Sequence, residues 1–420
     1  MHQWLPLIVI LSVACNPYQR WPEDNEVFPW DYTPQSDLED YEEVRWETED
    51  WDPFEDFEKA GLYLLKANYH RPGAVEEEIY HYGVMRPKLP PLTSEGVKLS
   101  FVGDAMYLGG NWDSFADDVA DMLDGDLRIG NLETPTSPNH PTSLAELRDY
   151  GPYSFNAPPE FLDGLPLDIL QVNNNHSLDM GDEGLEATLD EITSRNIIHT
   201  GVDQHVIVTV DSQNIAFLSF TWGLNEREVE SEHELFVVPF GHLDEDIDLS
   251  PIENQIDAAR LAGAHTIVVM VHWGFEYEYY PDPHFMVLAR EIVAMGADLI
   301  VGQGPHVLQP PEICTVNFPN TLPGVGNCSV HTDDEEPRLA AILYSLGNFG
   351  TTMPTLQAQV GLIATLTVNP YVTSMGWEAV ASVAEGTGQR LYPLKDLLDD
   401  EDYAAEAARL DQHLGTSWKR

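Results

Sequence analysis

The sequence predicts a layered α/β sandwich, with helices outside a mixed β-sheet core, on three observations. Runs of apolar, mostly β-branched residues alternate with amphipathic stretches at helical spacing through the middle of the chain. Several runs stop abruptly at a polar residue: Val268-Val-Met-Val ends in His272-Trp273-Gly274, and Ala297-Asp-Leu-Ile-Val301 runs into a glycine-rich turn carrying His306. Toward the C-terminus the alternation gives way to strands that follow one another directly, which adds antiparallel pairs to a parallel sheet.

Leu5 to Val13 is an apolar run broken only by Pro6 and Ser12, and it leads to Ser12-Val-Ala-Cys15. It has the length of a signal-peptide core and is too short to span a bilayer. Residues 1–15 resemble a bacterial lipoprotein signal, which implies an exported, membrane-anchored cell-envelope protein with Cys15 lipidated, on the periplasmic or extracellular face; an ordinary secretory signal is the alternative. Residues 16–95 read as an acidic tether and linker: Asp and Glu are dense up to about Lys59, with Trp21, Trp30, Trp46 and Trp51 among them and no period that persists.

The folded domain is expected over 96–385, followed by a helical tail over 386–420. Val97–Val102 is a strand running into Gly103-Asp104, Phe115–Leu123 a short helix, and Asp126–Ile129 a strand ending at Gly130-Asn-Leu-Glu133. Leu167–Val172 ends at Asn173-Asn-Asn-His176, and Gly181–Arg195 follows as an amphipathic helix with Leu185, Leu189 and Ile192 in register. After a strand unit over Ile197–Val202, His205–Val210 and Asn214–Phe220 flank Asp211-Ser-Gln213 as a hairpin. Helices over 251–262 and 284–295 precede the His272 and His306 strands, Leu339–Tyr344 ends in Ser345-Leu-Gly-Asn-Phe349, Val360–Val368 and Trp377–Val383 close the sheet, and Asp399–Leu414 is a terminal helix.

A formal net charge of −51, from 20 Lys+Arg against 71 Asp+Glu, excludes generic nucleic-acid binding. It also repels anionic membranes and polymers except where a bound cation reverses the local field, so membrane contact is expected through a lipid anchor only. Of the 3 cysteines, setting aside Cys15 leaves Cys314 and Cys328, in a stretch rich in Pro, Gly and Asn that reads as a loop. An even pair in an oxidising compartment predicts a disulfide between them.

Five strands thus end in Asp104, Glu133, Asn175-His176, His272 and His306. Singly, each has an ordinary explanation as a turn, cap or surface residue. Together, carboxylate, amide and imidazole are the donor set of Mn, Fe or Zn sites, for one ion or two. Two cations about 3.5–4 Å apart hold a phosphate or carboxylate and activate water. His176 beside them suits a general acid. Asp179 either orients that imidazole or caps the helix starting near Gly181; the sequence leaves both open.

Phe101-Val-Gly-Asp104, Asn131-Leu-Glu133, Asn174-Asn-His176 with Asp179 and Gly181, His272-Trp-Gly with Glu276, Gly304-Pro-His306-Val with Gln309, and Tyr344-Ser-Leu-Gly-Asn-Phe349 occur in one order. This series resembles the CapA family, the bacterial poly-γ-glutamate capsule synthesis proteins, whose fold is similar to calcineurin-like metallophosphatases. The resemblance spans roughly residues 97 to 370. It implies a metallophosphatase-like sandwich in which Asp104, Glu133, Asn175, His272 and His306 are metal ligands and His176, with Asp179, is the acid. Asn131, Glu276, Ser345 and Asn348 are then substrate contacts, although Ser345 and Asn348 equally suit turn formers shaping the pocket floor. The usual Asp-x-His opening reads Asp104-Ala-Met106 here, and the late Gly-His-x-His turn reads Gly302-Gln-Gly-Pro-His306, with Gln303 as a weak substitute. Trp273, Tyr277, Tyr279 and Tyr280 are placed at the pocket rim, as a binding platform or as packing. The resemblance implies capsule-polymer biosynthesis, with an anionic envelope polymer or its synthesis machinery as partner. The alternative is an exported metal-dependent phosphoesterase or amide hydrolase acting on another envelope substrate.

Overall fold

Two β-sheets face each other across one apolar layer, and helices cover their outer faces. The computed structural model describes residues 95–420 except 148, 151–152, 204, 226–230, 241–246, 319–327, 333–336, 416–417 and 419–420. The signal over 1–15 with Cys15, and the acidic tether up to 94, lie outside the described residues.

In chain order the strands are β1 (Val97–Ala105), β2 (Leu127–Leu132), β3 (Ile169–Gln171), β4 (Ile198–Thr200), β5 (Val206–Val210), β6 (Gln213–Thr221), β7 (Thr266–His272) and β8 (Leu299–Gln303). They continue with β9 (Glu312–Val316), β10 (Cys328–Val330), β11 (Arg338–Leu343), β12 (Asn348–Gly350), β13 (Val360–Val368), β14 (Val372–Glu385) and β15 (Gly388–Pro393). The long helices are α1 (Gly181–Ser194), α2 (Ser250–Leu261), α3 (Pro283–Ala294) and α4 (Glu401–Leu414). Among the described residues, one sheet of eight strands runs β15-β14-β13-β1-β2-β3-β4 with β12 paired to β1, and one of seven runs β10-β9-β11-β8-β7-β6-β5. β1 to β4 are mutually parallel, as are β6, β7, β8 and β11, while β13, β14 and β15 close the first sheet antiparallel. This is a metallophosphatase-like layered fold, and no helix among the described residues is long and apolar enough to cross a membrane.

Alternation along each strand decides which residues meet. Leu127 and Ile129 of β2, Ile169 of β3, Phe217 of β6, Val268 and Met270 of β7, and Leu299 and Val301 of β8 fill the layer between the sheets. The next residue of the same face, at the carboxyl end, is Asn131, Gln171, Ser219, His272 and Gln303 respectively, all buried. The interior thus grades from apolar to polar along the strands, and the chemistry collects at that polar end. On the outer faces, Leu185, Leu189 and Ile192 of α1 cover the first sheet, and Ile252 and Ile256 of α2 with Phe285, Leu288 and Ile292 of α3 cover the second. Asp282 caps α3 by accepting from the His284 N–H at 2.9 Å, just ahead of Pro283 at the first helical position.

Two helices agree with the sequence reading, and two other places depart from it. The short helix expected over Phe115–Leu123 is a 3-10 helix, Asp117–Met122. Cys314 and Cys328 do not lie in a loop: they sit on β9 and β10, side by side in a parallel pair, and are disulfide-bonded. β15 is an additional strand, so the boundary expected at 385 falls inside the β14–β15 hairpin. The terminal helix expected over Asp399–Leu414 is α4, whose Ala407, Leu410 and Leu414, with Trp418, join the apolar cluster that fills the layer between the sheets.

Gly103 is where β1 crosses the turn after β11. A Cβ there would lie 1.8 Å from the Gly347 carbonyl oxygen, which accepts the Asp104 N–H at 3.0 Å. Backbone on backbone leaves nothing flexible to yield, so Gly103→Ala is expected to destabilise the chain by about 3 kcal/mol in urea denaturation.

Candidate metal centre

The site straddles both sheets. β1 delivers Asp104, the residue after β2 is Glu133, and the turn after β3 carries Asn175 and His176. From the second sheet, β7 ends in His272 and the turn after β8 carries His306. His306 Nδ1 lies 3.3 Å from Asp104 Oδ2, and Glu133 Oε1 lies 3.6 Å from His272 Nε2 and 3.7 Å from His306 Nε2. All four residues are buried.

A shell of amides holds these groups from behind. Asn131 donates to Asp104 Oδ1 at 2.8 Å and lies 3.4 Å from His272 Nδ1. Asn174 donates to Asn131 Oδ1 at 3.1 Å and to the Leu132 carbonyl at 2.8 Å. Asn348 Oδ1 meets His306 Nδ1 at 3.1 Å, and its amide donates to the Ala358 carbonyl at 2.7 Å. The Gly304 N–H donates to Asp104 Oδ2 at 3.2 Å. Gly304 has φ +111°, and a Cβ there would stand 3.2 Å from His272 Nε2, so glycine serves both the backbone turn and the close approach.

Of the residues expected to touch substrate, Asn131 and Asn348 therefore lie in this supporting shell. Ser345 is buried and accepts the Gly347 N–H at 3.2 Å, as a turn former does, and Glu276 is the partly exposed member of the set. The aromatic residues do not form an open rim: Trp273, Tyr277, Tyr279 and Tyr280 are all buried. Trp273 stacks on Tyr344 at a centroid distance of 6.3 Å, and the Tyr277 ring lies 6.0 Å from His306.

The electrostatics follow from placing two carboxylates out of water. Burial alone would lower His306, but Glu133 and Asp104 outweigh it and push its pKa up to about 10. Burial carries His272 the other way, to about 3, against the attraction of Asp104 and with the help of His306 and His176. Asp104 stays below the usual carboxylate range, because His306, His272 and Asn131 overcome the effect of burial. Two buried carboxylates thus favour positive charge in the pocket.

The residues fit a divalent cation. Asp104, Glu133 and His306 bring ligand atoms within 4.8 Å of one another. The Glu133–imidazole separations of 3.6 and 3.7 Å are too long for hydrogen bonds. They are close to the roughly 3.4 Å between neighbouring ligands around an ion with bonds of about 2.1 Å. Asn175 Oδ1 and Gln303 Oε1 are buried acceptors without a hydrogen-bond partner among the described residues, the condition an ion relieves. Met106, in the position of an expected histidine, is buried and offers no imidazole. A second grouping, Glu312 with Cys314 and Cys328, has its sulfurs committed to the disulfide.

His176 stands beside the centre. Its Nδ1 pairs with Asp179 Oδ2 at 2.7 Å, which also accepts the Phe155 N–H at 2.7 Å, and the Phe155 ring covers the imidazole at a centroid distance of 4.3 Å. α1 takes no side-chain cap, so Asp179 orients the imidazole and does not cap the helix. Two partners in this region carry no sequence motif: Phe155, and Asn225, whose N–H donates to the Asn175 carbonyl at 2.8 Å and whose amide lies 3.5 Å from His176 Nε2.

Residues 98–352 match the family described as Bacterial capsule synthesis protein PGA_cap. A PGA biosynthesis protein CapA of Bacillus subtilis (strain 168) is 26% identical over 246 residues, covering 54% of this chain and 62% of that protein. A Capsule biosynthesis protein CapA of Bacillus anthracis is 29% identical over 148 residues, covering 34% of this chain and 35% of that protein. The match thus spans less than two thirds of the length of either relative. Among solved structures, a hypothetical protein from Thermus thermophilus aligns at 15% identity and a TM-score of 0.32, over 70% of this chain and 97% of that one; so loose a superposition carries no argument.

Mn²⁺ added at about 100 times its Kd to chelator-treated protein should raise unfolding stability by about 2.7 kcal/mol. His306→Ala should abolish that gain, with chemical denaturation in the presence and absence of Mn²⁺ as the measurement.

Proposed function

The chain belongs to the bacterial capsule synthesis family PGA_cap, and on that premise we propose that it serves the biosynthesis of an anionic envelope polymer of the poly-γ-glutamate kind. The observation that carries the reading is the paired burial of Asp104 and Glu133 against His272 and His306, in a pocket that calls for a cation. Both curated relatives are named for capsule or PGA biosynthesis. Export with a lipid anchor at Cys15 belongs to the same proposal, and it sets the site on the outer side of the membrane with the growing polymer or its synthesis machinery as partner.

Asp104, Glu133, His272 and His306, with Asn175, would hold a divalent cation. Such an ion supplies the positive charge and Lewis acidity that a phosphate or carboxylate group needs on a chain of net charge −51. The rest falls to the side chains. Asn131, Asn174 and Asn348 fix the ligand residues, so little reorganisation is left for binding. Trp273, next to His272, is buried against Tyr344 and Phe285 on the other face of the sheet.

The His176–Asp179 pair favours a second reading, metal-dependent hydrolysis of a phosphoester or amide. With Nδ1 committed to Asp179, the remaining nitrogen, Nε2, is the one placed to hold or release a proton, and Phe155 keeps the ring in place. A grip on polymer carboxylates would need no such pair.

The two readings separate by assay of the full chain with Mn²⁺ on a generic phosphodiester and on poly-γ-glutamate. Hydrolysis predicts turnover that His176→Ala lowers by about 10²–10⁴ while Mn²⁺ binding persists. An assembly role predicts an inert purified protein, together with loss of cellular polymer in His272→Ala.

A further inference from the structure

Helix α4 lies beyond residue 352, where the family match ends, yet its inward side reaches the two loops that carry His272 and His306. Arg409 is the contact. Its Nε pairs with both oxygens of Glu406 at 3.0 Å, its guanidinium lies 4.3 Å over the Tyr279 ring, and Nη1 donates to the Leu308 carbonyl at 3.4 Å. One turn on, the His413 ring meets Tyr280 edge-on at 4.9 Å. Tyr279 and Tyr280 belong to the loop that leaves His272, and Leu308 follows His306 by two residues. A single cation therefore touches both imidazole-bearing loops.

Those loops need holding. His306 and Tyr277 have φ of 58° and 62°, a left-handed backbone that non-glycine residues keep only when their surroundings impose it. The loops brace each other through the Tyr277 N–H to the Pro305 carbonyl at 2.8 Å, and through Gln309 Nε2 to the Glu278 carbonyl at 2.9 Å. Arg409 closes the arrangement from the far side. A largely buried arginine, 13% exposed in its side chain, is a costly way to fill space that an apolar chain would fill well. Its donors and its cation–π face give it a use that packing alone does not.

We propose that Arg409 on α4 is a positioning residue for the metal centre, locking the His272 and His306 loops in the geometry that binds an ion. The proposal rests on the metal-binding reading above. It is tested by Mn²⁺ titration calorimetry on the full chain as wild type, Arg409→Met, Arg409→Lys and, as ligand control, His306→Ala. Arg409→Met is expected to weaken Mn²⁺ affinity at least about tenfold while near-UV circular dichroism still reports a folded protein. Arg409→Lys, which keeps the charge over Tyr279, is expected to recover part of the loss. Packing alone predicts wild-type affinity in Arg409→Met, and that result overturns the proposal. Should Arg409→Met fail to fold, Tyr279→Leu carries the same expectation and the same risk. A wild type that binds Mn²⁺ no better than His306→Ala overturns the metal reading itself, whatever Arg409 does.

Discussion

Two carboxylates, Asp104 and Glu133, are held out of water at the seam between two sheets, and much of the local structure answers to that fact. A buried charge survives only when paired or hydrogen-bonded. Asp104 meets this through Asn131, the Gly304 N–H and His306; Glu133 faces two imidazoles at ion-pair distance. The glycines at 103 and 304, the amide shell and the left-handed backbone of His306 all bring donors close enough to offset the cost of burying those groups.

Much of this was legible in the sequence because the parallel strands have a simple grammar. An apolar run covered on both faces and ending in a polar residue identifies a strand and its functional end together, as Val268–His272 and Ala297–His306 do. Asp104, Glu133, Asn175, His176, His272 and His306 could all be placed at strand ends before any contact was known. What escaped reading has physical reasons. β10 is three residues long, β9 sits directly after Pro310-Pro311, and β15 mixes Gln389 and Arg390 with Leu391, so none shows a clear period. The burial of Tyr279 and Tyr280 depends on a helix over a hundred residues away in the chain, which no local pattern reports.

The roles of the asparagines were harder still. A sequence places Asn131 or Asn348 near a ligand without saying whether its amide faces a substrate or a neighbour. Here both face neighbours: Asn131 links Asp104 to Asn174, and Asn348 links His306 to the Ala358 carbonyl. Neutral amides suit that work, since each offers both donors and an acceptor and adds no charge to a region already rich in carboxylate.

The division of the centre between sheets makes it a long-range feature of the chain. Gly304 and Asp104, joined by a hydrogen bond, are 200 positions apart, and Asn131 and His272 are 141 apart. Contacts of such high sequence separation carry a loop-closure cost, as does the pairing of Val97 with Val368 inside the first sheet. Asp104 and Glu133 come from one sheet and His272 and His306 from the other, so the centre exists only where the two meet. The group that could hold an ion is therefore a property of the whole fold, and neither sheet carries it alone.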